Sequence, residues 1–160
     1  MAQLDTKIAL DGIQEAIRQL NQADLFTDDN LQAILSVGVD EMYKSVHSAF
    51  IEAGHQNTKP RRTGETLRHF TKARKVSRDK KGVPYMYVTI SGKDARQQKY
   101  AVKGFVLNYG RRTGGKIKAD YYWSNAVKAT WDRANKAMTD KAAEISTTHD
   151  ERRQSCLHLI

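Results

Sequence analysis

The stretch that decides the fold is residues 100–123, which read YAVKGFVLNYGRRTGGKIKADYYW. Its first part is mostly apolar or aromatic and therefore needs burial, and this run stops at Gly110. Residues 111–118 form a loop with four cations and two adjacent glycines, which cannot be buried. The aromatic residues 121–123 then open a helical pattern. The stretch therefore joins the core to a positively charged surface, and its first part fits a strand as well as a short helix.

Downstream of this stretch, apolar residues recur every three or four positions over residues 121–145, which predicts a long helix. Six alanines in this segment permit close packing against a sheet or another helix. Residues 146–160 are polar and then weakly apolar. We therefore expect a tail that stays mobile or becomes ordered only on a partner.

Upstream, two strands are predicted over residues 73–77 and 83–91, joined by a turn that contains Gly82. In the second strand Met86, Val88 and Ile90 form one of the two alternating sets, and we expect this set to face the core. Residues 63–72 fit a short helix with Thr63 as its N-cap.

Two further helices are predicted before this region. Apolar residues at helical spacing indicate a first helix over residues 4–20. A second helix of about 25 residues begins after an N-cap at Thr27 or Asp28 and stops at Gly54. A polar loop over residues 55–62 separates it from the short helix.

These segments predict an α+β fold with two N-terminal helices, a small mostly antiparallel sheet, and a long C-terminal helix packed on the sheet. We divide the chain into an N-terminal helical segment (1–55), an α+β core domain (56–145) and a C-terminal tail (146–160), within a single domain overall. The residues expected to share one core between the sheet and the last helix are Val88, Ile90, Phe105, Leu107, Trp123, Val127 and Trp131.

The net charge of +9 is unevenly distributed along the chain. Residues 1–55 contain nine acids and three bases, whereas residues 59–118 contain eighteen bases and three acids. A basic middle segment could face nucleic acid. It could equally meet the acidic first third of a neighbouring copy in a head-to-tail ring.

The sequence contains no recognisable catalytic or metal-binding constellation. The five histidines lack the spacing of a zinc site, and the single cysteine, Cys156, cannot form an internal disulfide. The basic loop differs from a P-loop because Lys116 is followed by Ile117 rather than by serine or threonine. A nuclease would need clustered carboxylates, and the acids lie mostly in the helical first third. We therefore expect no enzyme activity, no cofactor and no metal.

We expect neither a signal peptide nor a membrane contact. Residues 1–10 lack a basic region followed by a long apolar core. No apolar run in the sequence approaches the 18 residues or so of a membrane span.

The candidate contact residues for DNA or for an acidic partner protein are the cations of the two polar loops. Tyrosines and Phe105 interleave with basic residues nearby, as on platforms that stack single-stranded bases, although strand aromatics more often belong to a core or an interface. The six candidates are Arg61, Arg62, Arg111, Arg112, Lys116 and Lys118.

Several short motifs carry a family resemblance. They are Thr63-Gly64-Glu65-Thr66-Leu67-Arg68, a hairpin ending in YVTISG, Tyr100-Ala101, the run FVLNYG at 105–110, and the alanine-rich last helix. In this order they resemble the small neck and tail-component proteins of long-tailed double-stranded DNA phages, which include tail terminators, tail-completion proteins and head-tail connectors. The match covers roughly residues 63–145. Asn108 stands where that family usually has an acid, and the stretch ADYYWSNAV lacks a proline often found there.

The resemblance implies a structural, non-enzymatic virion subunit that forms a ring and joins or closes the tail at its head-proximal end. It implies assembly in the host cytoplasm, a hexamer of the chain itself, and contacts with neck, connector or tail-tube proteins and with packaged double-stranded DNA. The alternative from charge alone is a basic nucleic-acid-binding protein that acts as a monomer or dimer.

Overall fold

The computed structural model describes residues 5–9, 18, 20, 25–55, 65–113 and 116–157. Within them, the elements in chain order are β1 (Asp5–Ala9), α1 (Asp28–Glu52), α2 (Glu65–Arg68), β2 (Phe70–Lys72), β3 (Ser77–Arg78), β4 (Pro84–Ile90), α3 (Tyr100–Tyr109) and α4 (Tyr122–Leu157).

Strand β4 is the centre of a small antiparallel sheet. β1 pairs with one edge of β4, and β2 and β3 pair with the other edge. Met86, Val88 and Ile90 are all buried, as their alternation with neighbouring residues predicts. The α+β class, the antiparallel sheet and the core positions of Val88 and Ile90 are therefore confirmed.

Helix α1 packs against both the sheet and α4, and α4 itself packs on the sheet at its start, as predicted. Thr27 caps it, because its hydroxyl oxygen accepts a hydrogen bond from the Asn30 N–H at 3.3 Å. A stripe of apolar residues from Leu31 to Phe50 is buried along its length. The predicted second helix, its cap and its end near Gly54 are confirmed.

Helix α4 packs antiparallel along α1 through small and polar side chains. The Thr130 hydroxyl donates a hydrogen bond to Ser45 Oγ at 2.6 Å, and the Arg133 guanidinium lies 2.9 Å from a Glu41 carboxylate oxygen. At its start, Trp123 reaches the sheet, where its indole Nε1–H donates to Thr6 Oγ1 at 2.7 Å. On this face of α4 the buried side chains are mostly small (Ala126, Thr130, Ala134 and Ala142), with Met138 among them.

The N-terminal helix predicted over residues 4–20 is wrong at its beginning. Residues 5–9 form β1, because pairing with β4 provides ladder hydrogen bonds over five positions, from Asp5 opposite Thr89 to Ala9 opposite Tyr85. Arg18 and Leu20 are helical, and the positions between Ala9 and Arg18 lie outside the described residues.

The strand predicted over residues 73–77 is also misplaced. The pairing with β4 is made by Phe70–Lys72 and by Ser77–Arg78, on either side of an irregular segment. Helix α2 accordingly ends at Arg68, before the predicted end of the short helix, and its predicted N-cap Thr63 lies outside the described residues.

The predicted boundary of the last helix at residue 145 is wrong as well. α4 continues to Leu157 through the segment assigned to a tail. This segment has no glycine or proline to stop it, and the hydroxyls of Ser146, Thr147 and Thr148 donate to carbonyl oxygens four residues earlier. Hydroxyl side chains are thus accommodated inside the helix.

Trp131 does not belong to the core. Its side chain is exposed, because Thr130 and Ala134 occupy the inward positions of α4 at that level. Trp123 is buried as predicted, and Phe105, Leu107 and Val127 pack against the core while remaining partly accessible.

Candidate interaction surface

The deciding stretch begins as helix α3, whose first residue is held by a side-chain network. The Tyr100 hydroxyl donates a hydrogen bond to Glu65 Oε2 at 2.7 Å, and the His69 ring stacks on the tyrosine at a centroid distance of 4.1 Å. The hydrogen bond to the Glu65 carboxylate, together with burial, raises the pKa of Tyr100 to about 12. This contact joins two of the motifs that carry the family resemblance.

A salt bridge closes the loop that precedes α3. Lys103 Nζ lies 2.7 Å from Asp94 Oδ2 and 4.8 Å from the centre of the Tyr100 ring. The Asp94 carboxylate also accepts the backbone N–H groups of Arg96 and Gln98. The Lys103 hydrogen bond, followed by that of Gln98, holds the pKa of Asp94 below its ordinary value.

At the other end of α3, Asn108 is fully buried and caps helix α4. Its Oδ1 accepts hydrogen bonds from the Trp123 N–H at 2.9 Å and the Ser124 N–H at 3.4 Å. Its Nδ2 donates to Ser124 Oγ at 3.0 Å. An acceptor at this place satisfies N–H groups that have no partner inside the helix. Either an amide or a carboxylate can supply that acceptor.

A second link fixes the same helix start to the end of α1. The Asp120 carboxylate accepts the Tyr122 N–H at 3.1 Å and contacts His55 Nε2. Tyr122 is buried against Phe50, with ring centroids 5.4 Å apart. Burial, followed by the negative charge of Asp120, raises the pKa of Tyr122.

The basic loop (residues 111–118) leaves α3 through Gly110. This glycine has φ 79°, and a Cβ here would lie 2.8 Å from the Ile117 carbonyl oxygen. Arg111 and Ile117 exchange both backbone hydrogen bonds, at 2.9 and 3.0 Å. These bonds pair the two sides of the loop, and residues 114–115 between them lie outside the described residues.

Four of the six cations predicted to form a contact surface lie on this loop. Arg111, Arg112, Lys116 and Lys118 are all exposed. Arg112, Lys116 and Lys118 have no carboxylate partner among the described residues. Arg61 and Arg62 lie outside the described residues.

An aromatic strip, made of Phe105, Tyr109 and Tyr121 with Val102, adjoins the basic loop in the chain. Val102, Tyr109 and Tyr121 are exposed, whereas Phe105 is only partly exposed. Tyr109 and Tyr121 are 48% and 50% exposed. The ring centroids are 4.7 Å apart for Phe105 and Tyr109, and 6.3 Å apart for Tyr109 and Tyr121. Sequence reasoning missed this strip, although the spacing of Val102, Phe105 and Tyr109 places them on one face once α3 is known to be a helix.

Several acids of the first third are paired within the chain. Asp28 contacts Arg78 at 2.5 Å, Glu41 contacts Arg133, and Asp40 contacts Lys72. The α1 acids therefore neutralise part of the basic middle segment inside one copy.

The described residues contain no group of three or more histidine, cysteine, aspartate or glutamate side chains placed to hold a metal ion. Over the same part of the chain, no helix is both long enough and apolar enough to cross a bilayer. Comparison of the chain with protein-family models, curated proteins and solved structures finds no significant match.

Proposed function

We propose that the protein is a structural virion subunit of a long-tailed double-stranded DNA phage. In this proposal it forms a ring in the neck, as a head-tail connector or tail terminator, and joins or closes the tail at its head-proximal end. Its location is the virion, after assembly in the host cytoplasm. The resemblance of the motifs supplies the class, and the packing of those motifs supports it.

The observation that carries the proposal is that the resembling segments form one connected unit. Glu65 of the first motif bonds Tyr100 of the second at 2.7 Å. Asn108 of the third bonds the start of the last helix. Motifs that contact one another specify a shared architecture more strongly than motifs scattered over the chain.

The surface around this unit suits assembly. It presents exposed aromatic rings and exposed cations. Aromatic residues and arginine are enriched at protein interfaces and supply much of the binding energy there. The partners that follow are further copies of the chain, six in a ring by the resemblance, then neck, connector or tail-tube proteins. Packaged DNA is a further partner for the loop cations.

A test in the virus uses the phage whose genome encodes the chain. Inactivation of the gene should leave heads and tails unjoined, or tails of abnormal length, in electron micrographs of the lysate. Supply of the protein in trans should restore whole particles. Normal virions in the absence of the protein would exclude the proposed function.

The second candidate is a nucleic-acid-binding protein, and the exposed Tyr109 and Tyr121 beside the basic loop favour it. In that case, replacement of Arg111, Arg112, Lys116 and Lys118 by glutamine should flatten the salt dependence of DNA binding. The slope of log K for DNA binding against log salt concentration should become shallower by nearly one unit for each phosphate contact that is lost. Unchanged binding would remove the basic loop from this candidate function.

A further inference from the structure

The aromatic strip and the basic loop together form a surface with a definite chemical character. Tyr109 and Tyr121 offer exposed rings, and Arg112, Lys116 and Lys118 lie beside them without a carboxylate partner among the described residues. A partner that fits must bring an apolar or aromatic group together with carboxylates.

The opposite end of the same chain carries such a group. Phe26 is 36% exposed immediately before the cap of α1, and Asp28 and Asp29 form the first turn of that helix. Asp29 has no ion-pair partner among the described residues, and Asp28 remains largely exposed beside Arg78. We call Phe26, Asp28 and Asp29 the acidic end.

The two surfaces cannot meet within one copy. The basic loop adjoins the start of α4, which His55 and Asp120 tie to the C-terminal end of α1. The acidic end lies at the other end of α1, a helix of 25 residues. At 1.5 Å per residue the two surfaces are about 37 Å apart.

We propose that Tyr109 and Tyr121, together with the loop cations Arg112, Lys116 and Lys118, of one copy bind the acidic end of a second copy, in a head-to-tail contact. Each copy has one of each surface, so the contact is heterologous and continues from copy to copy until it closes into a ring. This inference rests on the proposed function and specifies which surfaces of the ring subunit meet.

Charge reversal on each side tests the contact. Asp29→Lys alone, and Arg112→Glu with Lys116→Glu, should each raise the dissociation constant for self-association at least about tenfold, because like charges then face each other. All three changes in one chain should recover most of the loss, because the complementarity is restored with inverted sign. Sedimentation velocity on the purified full chain measures these constants.

Two matched controls separate a local contact from a change in total charge. Asp132→Lys, and Lys128→Glu with Lys136→Glu, alter exposed residues of α4 by the same charge steps, outside both surfaces. We expect self-association to remain within about twofold of the unmodified chain, as for changes outside an interface.

The outcomes distinguish this contact from the proposed function itself. If the unmodified chain assembles and the charge reversals weaken assembly no more than the controls do, the proposed contact is contradicted. The proposal that the chain forms a ring is then unaffected. A chain that stays monomeric at all concentrations would contradict both. If the loop reversal abolishes binding of an oligonucleotide and leaves assembly intact, the surface serves nucleic acid and the contact is again wrong.

Discussion

At the residue scale, Asn108 connects the deciding stretch to the rest of the chain. It is the last buried residue of α3, and its amide oxygen accepts the N–H groups of Trp123 and Ser124 at the start of α4. One buried side chain therefore fixes how a 36-residue helix begins and where the basic loop is anchored.

Replacement of Asn108 by alanine should lower the free energy of unfolding by about 1–3 kcal/mol, because it removes a cap and leaves buried N–H groups unpaired. Asn108→Asp should cost less, since a carboxylate also accepts these bonds and suits the positive end of the helix dipole. Urea unfolding of both variants measures the difference. Asn125→Ala, an exposed amide on the same helix, should change stability by less than about 0.5 kcal/mol. Equal losses for Asn108→Ala and Asn125→Ala would contradict the capping function.

The Tyr100–Glu65 contact predicts a dependence of stability on alkaline pH. The folded state holds the Tyr100 proton up to about pH 12, whereas the unfolded chain releases it near 10.0. Between these values the folded state binds more protons, so stability falls as the pH rises. Tyr100→Phe should show a shallower fall than the unmodified chain in urea unfolding between pH 9 and 12. Parallel curves for the two proteins would show that this hydroxyl does not titrate differently on folding.

Sequence could identify Asn108 as a departure from a family pattern but could not assign its role. The N–H group that Asn108 caps belongs to Trp123, fifteen residues further along the chain. The two residues meet only because the chain turns back through the basic loop. The exposure of the loop cations was predictable from charge, since unpaired cations are rarely buried.

At the element scale, the shape of the basic loop depends on Gly110. Gly110→Ala should destabilise the protein by about 1–3 kcal/mol, because this backbone conformation strains any residue with a Cβ. The Cβ would also lie 2.8 Å from the Ile117 carbonyl oxygen and 2.9 Å from the Ala119 nitrogen. Gly82→Ala is the matched comparison, with φ 81° and open space around its Cβ position. Thermal unfolding should show the larger loss at Gly110, and equal losses would mean that the loop adjusts without strain.

The elements that sequence mispredicted are those whose state depends on distant partners. Residues 5–9 contain Ile8 at helical spacing, yet they form β1 because the free edge of β4 is available. Periodicity placed Trp131 in the core, but Thr130 and Ala134 are the buried residues of α4 at that level, and Trp131 lies on the exposed side of the helix. Helix α1 was predictable throughout, because its cap, its apolar stripe and its stop are all local signals.

At the scale of the whole molecule, the charge separation seen along the sequence is only partly a separation in space. Asp28, Asp40 and Glu41 have cationic partners within the chain, and exposed pairs of this kind contribute little to stability. Asp29 at one end of α1 and the loop cations Arg112, Lys116 and Lys118 near its other end are exposed and have no ion-pair partner among the described residues. The proposed contact between copies uses this difference in sign.

The mass of the purified protein as a function of salt tests the central claim, that the chain is a ring-forming subunit. At low ionic strength we predict a single closed oligomer, with six copies expected from the family resemblance. At about 1 M salt, where the Debye length is about 3 Å, the contacts between charged ends should weaken and the mass should fall towards that of one copy. Light scattering coupled to gel filtration measures both. A monomer or dimer at every salt concentration, with binding to DNA that weakens as salt is added, would contradict the ring and favour the nucleic-acid-binding alternative.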